Sequence, residues 1–167
     1  MTRVSGGGVA AWLKPGRSGE RLSPLDAPSS LILRLTTLLA RRYNRDYDTA
    51  LGLNSAEVRL ITLLHEKGPL PFRQIVERSL MDKAQVSRTL PGLIERGSVE
   101  IAGHSPASRR FSATNTATLT VEGRRLFERV RIIARRHQLE LLRPLSPAER
   151  RMLHAVLHRL IDGIEGN

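Results

Sequence analysis

Polar and basic side chains cluster in the segment DKAQVSR, at residues 82–88. On a helix with about 100° between residues, several of them share a face opposite the apolar stripe. The candidate DNA contacts of this segment are Lys83, Ala84, Gln85, Ser87 and Arg88. Glutamine can pair bidentately with adenine, and arginine can pair with guanine or a phosphate. The segment therefore predicts a helix that reads DNA, with Lys83 placed toward the phosphate backbone.

A second basic site follows along the chain. Arg109 and Arg110 lie in a polar turn between two β-like stretches, Val99–Ala102 and Phe111–Thr118. Two adjacent arginines on a turn can enter a minor groove, where narrow A·T tracts concentrate negative potential. A solvated basic loop is the alternative for such a pair in isolation. Because the turn comes directly after the DNA-reading segment, we favour contact with DNA.

The elements around these residues predict a helix-turn-helix. A short helix from about Pro71 to Ser79 is followed by a tight break at Leu80–Met81. Asp82 then caps a second helix that runs to Arg96 and stops at Gly97. The second helix of such a motif enters the major groove, which is wide enough to admit it.

Four further helices are predicted from apolar spacing and capping signals. They span Ser29–Asp48, Asn54–Gly68, Thr120–Pro144 and Ser146–Ile164. The predicted fold is mainly α with a small β-wing, a winged helix-turn-helix flanked by dimerisation helices. We expect a flexible tail at 1–28 and one domain at 29–167. In that domain, 51–119 is the winged helix-turn-helix, and 29–50 and 120–167 are the dimerisation helices.

Composition agrees with a nucleic-acid partner. Lys and Arg total 27 against 16 Asp and Glu, which gives a formal net charge of +11. A field of this sign attracts polyanions, although charge alone does not choose between DNA, RNA and an anionic membrane. The chain has no cysteine, which excludes disulfides, Cys-ligated metals and thiol redox switches. No run is apolar enough to cross a bilayer, so we expect a cytoplasmic protein without a membrane partner.

The stretch from Leu51 to Asn167 resembles the MarR family of bacterial transcription regulators. The resemblance lies in LGLNSAEVRLITLLHEKGPLPFRQIVERSLMDKAQVSRTLPGLIERG, a wing, LTVEGRRLFERV and LSPAERRMLHAVLHRLID, in that order. It implies a homodimer that binds a palindromic operator, as a regulator and most often as a repressor. It also implies release from DNA by a small-molecule effector, for which the ligand-binding candidates are Tyr43, Tyr47 and His65.

Three features depart from the family pattern. Pro91–Gly92 lies inside the recognition helix, where proline removes a backbone hydrogen bond and typically bends the helix. Ser105–Ser108 replaces the acidic residue usual before the wing arginines. The stretch Phe111–Thr118 is also longer than usual, which suggests an extended or bulged wing.

Self-association is predicted independently of the family. The last helix carries a broad apolar stripe that includes Leu153, Leu157, Leu160 and Ile164. One narrow lobe cannot bury this stripe together with those of the first and fifth predicted helices. A two-fold dimer would bury it and would match the symmetry of an operator.

Other functions have weaker support in the sequence. His154 and His158 have metal-ligand spacing, with His137 and Glu140 on the preceding helix, yet no HExxH motif is present and we expect no metal or other cofactor. No P-loop, GxSxG or paired-carboxylate site supports an enzyme. The remaining alternatives are an architectural DNA-binding protein that takes no ligand and a winged-helix module for protein contact.

Overall fold

The computed structural model describes residues 23–102 and 111–166, which contain six α-helices and a small three-stranded sheet. In chain order these are α1 Pro28–Leu51, α2 Ser55–Lys67, β1 Leu70–Pro71, α3 Phe72–Ser79, α4 Lys83–Glu95, β2 Val99–Ala102, β3 Thr116–Leu119, α5 Val121–Leu142 and α6 Pro147–Glu165. The mainly helical winged-helix fold confirms the predicted class.

The described residues divide into two compact units, the first ending at Arg45 and the second beginning at Asp46. In the first unit, a 3-10 turn at Pro24–Asp26 precedes α1, and the Ser23 side chain accepts a hydrogen bond from the Leu25 amide. The apolar side chains along this part of α1 are exposed, among them Leu31, Ile32, Leu33, Leu35 and Leu38.

Two capping boxes predicted from sequence are present. Asn54 accepts hydrogen bonds from the amides of Ala56 and Glu57 at the start of α2, and the Glu57 carboxylate accepts one from the Asn54 amide at 2.9 Å. Ser146 and Glu149 form the same reciprocal pair at the start of α6. Each box satisfies amides that a helix start would leave unpaired.

The sheet is antiparallel, in the order β1-β3-β2. Val99 lies opposite Leu119 and Ala102 opposite Thr116, and β1 pairs on the other edge of β3. The strand Val99–Ala102 is confirmed, whereas the second predicted strand, Phe111–Thr118, is confirmed only from Thr116 onward. Residues 112–115 form a turn instead, because the Asn115 side chain accepts the Ser112 amide at 2.6 Å.

The core of the second unit is centred on α2, which packs against α3, α4, α5 and β3. Its members are mainly aliphatic, although Tyr47, Phe72 and Phe127 are also buried. The fully buried side chains are Leu53, Leu60, Ile61, Ile75, Val86, Leu90, Leu93, Val99 and Val130. This core holds α3 and α4 in fixed positions, which a site built on those helices requires.

At Gly123 the start of α5 packs closely against Ser98, the residue before β2. A Cβ built on Gly123 would lie 2.0 Å from the backbone oxygen of Ser98, far inside the distance that any side chain tolerates. Two hydrogen bonds stabilise the same junction. The Thr120 hydroxyl donates to the Gly97 carbonyl at 2.6 Å, and the Thr120 amide donates to the Ser98 carbonyl at 3.1 Å. The backbone of α5 therefore rests directly on the segment at 51–119, which we call the reading lobe.

A buried histidine connects the end of α1 with α5. His137 is 3% exposed, and its Nε2 lies 2.8 Å from Oδ2 of Asp46. An ionised carboxylate only accepts hydrogen bonds, so Nε2 is the donor. The hydrogen bond from His137, supported by the charge of Arg136, lowers the pKa of Asp46 below its ordinary 3.8.

A lowered folded-state pKa gives this contact a defined pH dependence. Asp46 binds its proton more weakly in the folded state, so its contribution to stability is present above the ordinary pKa and is lost as pH falls through the lowered one. We expect Asp46→Asn to reduce the melting temperature at about pH 6, and we expect this penalty to shrink as the pH falls below the ordinary pKa of 3.8. Thermal unfolding across this range would test it, with exposed Asp48→Asn as control. A penalty that persisted at the acidic end would exclude a contribution from the charge.

Candidate DNA-binding interface

The helix-turn-helix is formed by α3, a three-residue turn and α4. Leu80 ends α3 in the left-handed conformation, with φ 54° and ψ 31°, and reverses the chain direction. Met81 then enters the core, while Asp82 leads into α4. Arg59 of α2 donates a hydrogen bond to the Ser79 carbonyl at 3.1 Å, which satisfies the carboxyl end of α3. The turn is thus held from the core side.

The amino-terminal end of α4 is capped as predicted. The Asp82 side chain accepts the Gln85 amide at 2.6 Å. On the inner face of the helix, Val86, Leu90 and Leu93 have no exposed surface. Burial of these three side chains fixes the rotation of α4 about its axis, and with it the set of side chains that face outward.

The outward face of α4 contains the predicted DNA contacts. Lys83, Ala84 and Arg88 are exposed, and Gln85 and Ser87 are half-buried at the edges. The structure therefore brings the five predicted residues of this helix together on one accessible surface, although their contacts with bases stay a prediction. Arg109 and Arg110, the predicted wing contacts, lie outside the described residues.

Pro91–Gly92 does not interrupt α4, which continues to Glu95. Pro91 is exposed, whereas Gly92 faces α2, where a Cβ would lie 3.3 Å from Oε1 of Glu57. Beyond the helix, the Arg96 side chain pairs with Glu57 at 3.8 Å and donates to the Gly52 carbonyl at 2.8 Å. The glycine thus lets the end of α4 approach the start of α2, away from the residues that face outward near Lys83.

The predicted ligand-binding residues lie in three different environments. Tyr47 is buried, with its ring edge-on to that of His137 at 5.3 Å between centroids. His65 is exposed on α2 and stacks on Phe127 of α5 at 3.6 Å. Tyr43 is half-buried in the first unit. These contacts explain the packing of the rings, and the ligand role of the three residues stays a prediction.

A cavity of about 380 Å³ lies on the reading lobe, at a place that the sequence did not reveal. Its lining residues come from α3, the first residue of α4 and the segment that leads into β3. They are Phe72, Arg73, Val76, Glu77, Lys83, Phe111 and Ala113. Val76 is half-buried and is one of the lining residues. The sequence signal for this cavity is the spacing of residues on α3. Phe72 and Val76 are four residues apart and apolar, Arg73 and Glu77 are four residues apart and charged, and each pair lies on one face of the helix.

The histidines of the last two helices do not assemble a metal site within the described residues. No group of three or more His, Asp or Glu side chains there is arranged to hold an ion. His154 and His158 are neighbours on α6, with ring centroids 4.4 Å apart, whereas His137 is buried against Asp46. None of the described helices is both long and apolar enough to span a membrane.

Comparisons with known proteins agree with the geometry. Residues 51–110, which include the helix-turn-helix and β2, match the model of the MarR family. A probable transcriptional regulator from Pseudomonas aeruginosa is 28% identical over 81% of this chain and 98% of its own, with a TM-score of 0.64. No curated protein sequence matches the chain significantly.

Two further solved structures share the fold. A MarR/EmrR family transcriptional regulator from Acinetobacter sp. ADP1 is 27% identical over 83% of this chain and 95% of its own, with a TM-score of 0.71. BpsR of Bordetella bronchiseptica, whose DNA binding is regulated by 6-hydroxynicotinic acid, is 23% identical over 84% and 96%, with a TM-score of 0.70. The matched segment, the order of the elements and these structures show that the chain has the fold of MarR-family transcriptional regulators and that its residues 51–110 match the model of that family.

Proposed function

We propose that this protein is a homodimeric repressor that binds a palindromic operator through two copies of α4 and is released by a small-molecule effector. The reading lobe is residues 51–119, and the helices at 29–50 and 120–167 form the dimer region. The observation that carries the proposal is the outward face of α4, where an exposed guanidinium, an amide and a hydroxyl stand together on a helix whose other face is locked in the core.

Sequence-specific binding requires base contacts and phosphate contacts together. Arg88 is exposed in the middle of α4 and has the geometry for a bidentate contact with guanine. Gln85 is one turn closer to the start of the helix and suits adenine. Lys83, at the first position of the helix, suits a phosphate, and the net charge of +11 adds a long-range attraction to DNA.

The dimer is proposed from the last helix. Within the described chain no residue of α6 is buried, although the helix is amphipathic. Its apolar stripe is formed by Leu153, Val156, Leu157, Leu160, Ile161 and Ile164. Ile164 is 78% exposed, and Leu160 and Ile161 are each 48% exposed. A stripe of this length is stable in water only when another apolar surface covers it, and a second copy of the chain supplies that surface.

Effector release is supported by the match of residues 51–110 to the MarR family and by BpsR, a protein of the same fold whose DNA binding is regulated by 6-hydroxynicotinic acid. The candidate contacts Tyr43, Tyr47 and His65 remain the proposal from sequence. Each of these three contacts can be tested by substitution with alanine. His65→Ala is the simplest of the three substitutions because His65 is exposed, and it removes a ring that is stacked on Phe127.

The test of DNA recognition is a titration of the purified protein with its own upstream promoter fragment and with a scrambled duplex, at several salt concentrations. A strong preference for the promoter that weakens steeply with salt would support a sequence-specific regulator. Equal, weak and salt-sensitive binding to both duplexes would favour an architectural protein. Absence of binding to either would favour a protein-interaction module.

Arg88→Ala tests the role of the reading face. We expect it to weaken binding to the cognate operator by about 1–3 kcal/mol and to relax the base preference at one position, because a bidentate base contact is lost. Competition titrations with operators substituted at single positions would measure both effects. Arg135→Ala removes the same charge from an exposed site on α5 and is the matched control. A loss that is equal for all duplexes would identify Arg88 as a phosphate contact.

A further inference from the structure

Two residues that disfavour helices stand next to each other inside the recognition helix. Pro91 and Gly92 lie within α4, which continues past them to Glu95. The fold explains Gly92, because the missing Cβ leaves room for the Glu57 carboxylate. Pro91 is exposed, so little packing offsets the cost of the residue that is least favourable in a helix interior. A local rule that is broken without a structural gain points to a functional role.

Pro91 changes the hydrogen bonding of the helix around it. Proline has no amide hydrogen, so Pro91 cannot donate to the Ser87 carbonyl, which is its partner four residues earlier in an α-helix. The proline ring also crowds this carbonyl and tilts it away from the helix axis. By contrast, the Gln85 carbonyl accepts the Thr89 hydroxyl at 2.8 Å. The Ser87 carbonyl is therefore an acceptor that lacks its helical donor.

This carbonyl lies on the outward face of α4. At about 100° per residue, Pro91 is roughly 20° from Ala84 and roughly 60° from Arg88 around the helix axis. It lies on the side opposite Leu93, which has no exposed surface. An α-helical carbonyl points toward the residue four positions later, so the Ser87 oxygen lies beside the exposed Pro91 ring. The acceptor is thus on the surface that is proposed to face the major groove.

We propose that the Ser87 carbonyl contacts one base of the operator as a hydrogen-bond acceptor, and that Pro91 makes it available. This inference rests on the proposed function and adds a main-chain contact to it. In the major groove the donors are the amino groups of adenine and cytosine, whereas N7, O6 and O4 are acceptors. Only an amino group complements a carbonyl, so the contacted base is an adenine or a cytosine. The neighbouring Arg88 side chain only donates, and the carbonyl supplies the complementary acceptor.

Pro91→Ala restores the missing amide and tests the proposal. Alanine pairs the Ser87 carbonyl within the helix, so we expect the melting temperature to rise while the affinity for the promoter falls roughly fivefold. A purely structural role of Pro91 does not predict opposite changes in stability and DNA affinity. Affinity for a scrambled duplex should stay the same, because no charge is altered.

Pro147→Ala is the matched control. Pro147 is exposed at the first position of α6, where the amide that proline lacks has no partner within the helix. The substitution is the same, but it releases no carbonyl. It should leave the affinity for the promoter and for the scrambled duplex unchanged.

Modified duplexes identify the contacted base. Single adenines or cytosines of the footprinted promoter site are replaced by N6-methyladenine or N4-methylcytosine, whose methyl group takes the place of the amino hydrogen that faces the major groove. We expect one position in each half-site at which the methyl group weakens binding of the natural protein roughly fivefold but leaves Pro91→Ala unaffected. Equal sensitivity of the two proteins at every position would overturn the proposal. A difference that appears only when thymine is replaced by uracil would also overturn it, because the Pro91 ring would then contact a thymine methyl group.

The same experiments separate this proposal from the proposed function. A natural protein with no preference for its promoter would reject both. A protein that prefers its promoter and keeps every base preference in Pro91→Ala would reject the carbonyl contact alone. A melting temperature that does not rise in Pro91→Ala would show that the fold itself offsets the cost of the proline, and it would remove the reason to assign Pro91 a role in recognition.

Discussion

Gly123→Ala should lower the free energy of unfolding by about 3 kcal/mol and the melting temperature by roughly 6–12 °C. The added methyl group would lie 2.0 Å from the Ser98 backbone oxygen and 3.1 Å from a methyl carbon of Leu119. Relief of this overlap requires α5 to move away from β2, which strains the hydrogen bonds of Thr120 to Gly97 and Ser98. Thermal and denaturant unfolding would measure the loss.

Gly163→Ala is the matched control for this substitution. Gly163 also lies in a helix interior, and a Cβ there would meet no atom within 4 Å. Because alanine favours helix more than glycine by up to about 1 kcal/mol, this variant should be at least as stable as the natural protein. Gly163 lies seven residues after Val156, beside the proposed dimer interface, so sedimentation should first establish that both variants have the same oligomeric state. Equal melting temperatures for both variants would show that the backbone contact at Gly123 yields at little cost.

The second large effect is expected at the apolar stripe of α6. Leu157→Glu would place a carboxylate in the middle of the proposed dimer interface, twice in each dimer because the contact is two-fold. We expect the dimer dissociation constant to rise at least about 100-fold, which corresponds to about 2.7 kcal/mol. Sedimentation would then detect a monomer, and operator binding would fall because one lobe contacts only one half-site.

Ala155→Glu introduces the same carboxylate on the opposite side of α6 and serves as the control. At about 100° per residue, Ala155 lies some 160° from Leu157 around the helix. It should remain dimeric and should retain operator affinity. A dimer that survived Leu157→Glu would show that another surface mediates association and would remove α6 from the proposed interface.

The elements that the sequence predicted correctly are those determined by residues close to one another along the chain. The capping boxes at Asn54 and Ser146 depend on residues three apart, and the inner face of α4 follows from helical spacing, so both were readable. The outward position of Arg88 followed from the same spacing. In contrast, the start of β3 depended on the Asn115 side chain, which closes a turn that the β-like composition of the segment obscured.

The features that the sequence did not predict depend on contacts between distant segments. The approach of Gly123 to Ser98, the pair of Asp46 and His137, and the cavity beside Lys83 each join residues that are far apart in the chain or belong to different elements. The amino-acid sequence alone does not give the distances between segments that are far apart along the chain. The effect of Pro91–Gly92 was undecided for the same reason, because it depends on the space that Glu57 leaves for the helix.

The rigid junction at Gly123 makes α5 a lever. The helix has 22 residues and is therefore about 33 Å long. Since its amino-terminal end is fixed to the backbone of the reading lobe, a tilt of about 5° at its far end displaces that lobe by roughly 3 Å. In the proposed dimer, two such levers set the separation of the recognition helices, and two displacements of this size exceed the tolerance of base-edge hydrogen bonds. A small change in helix inclination is thus sufficient to separate a form that fits its operator from one that does not.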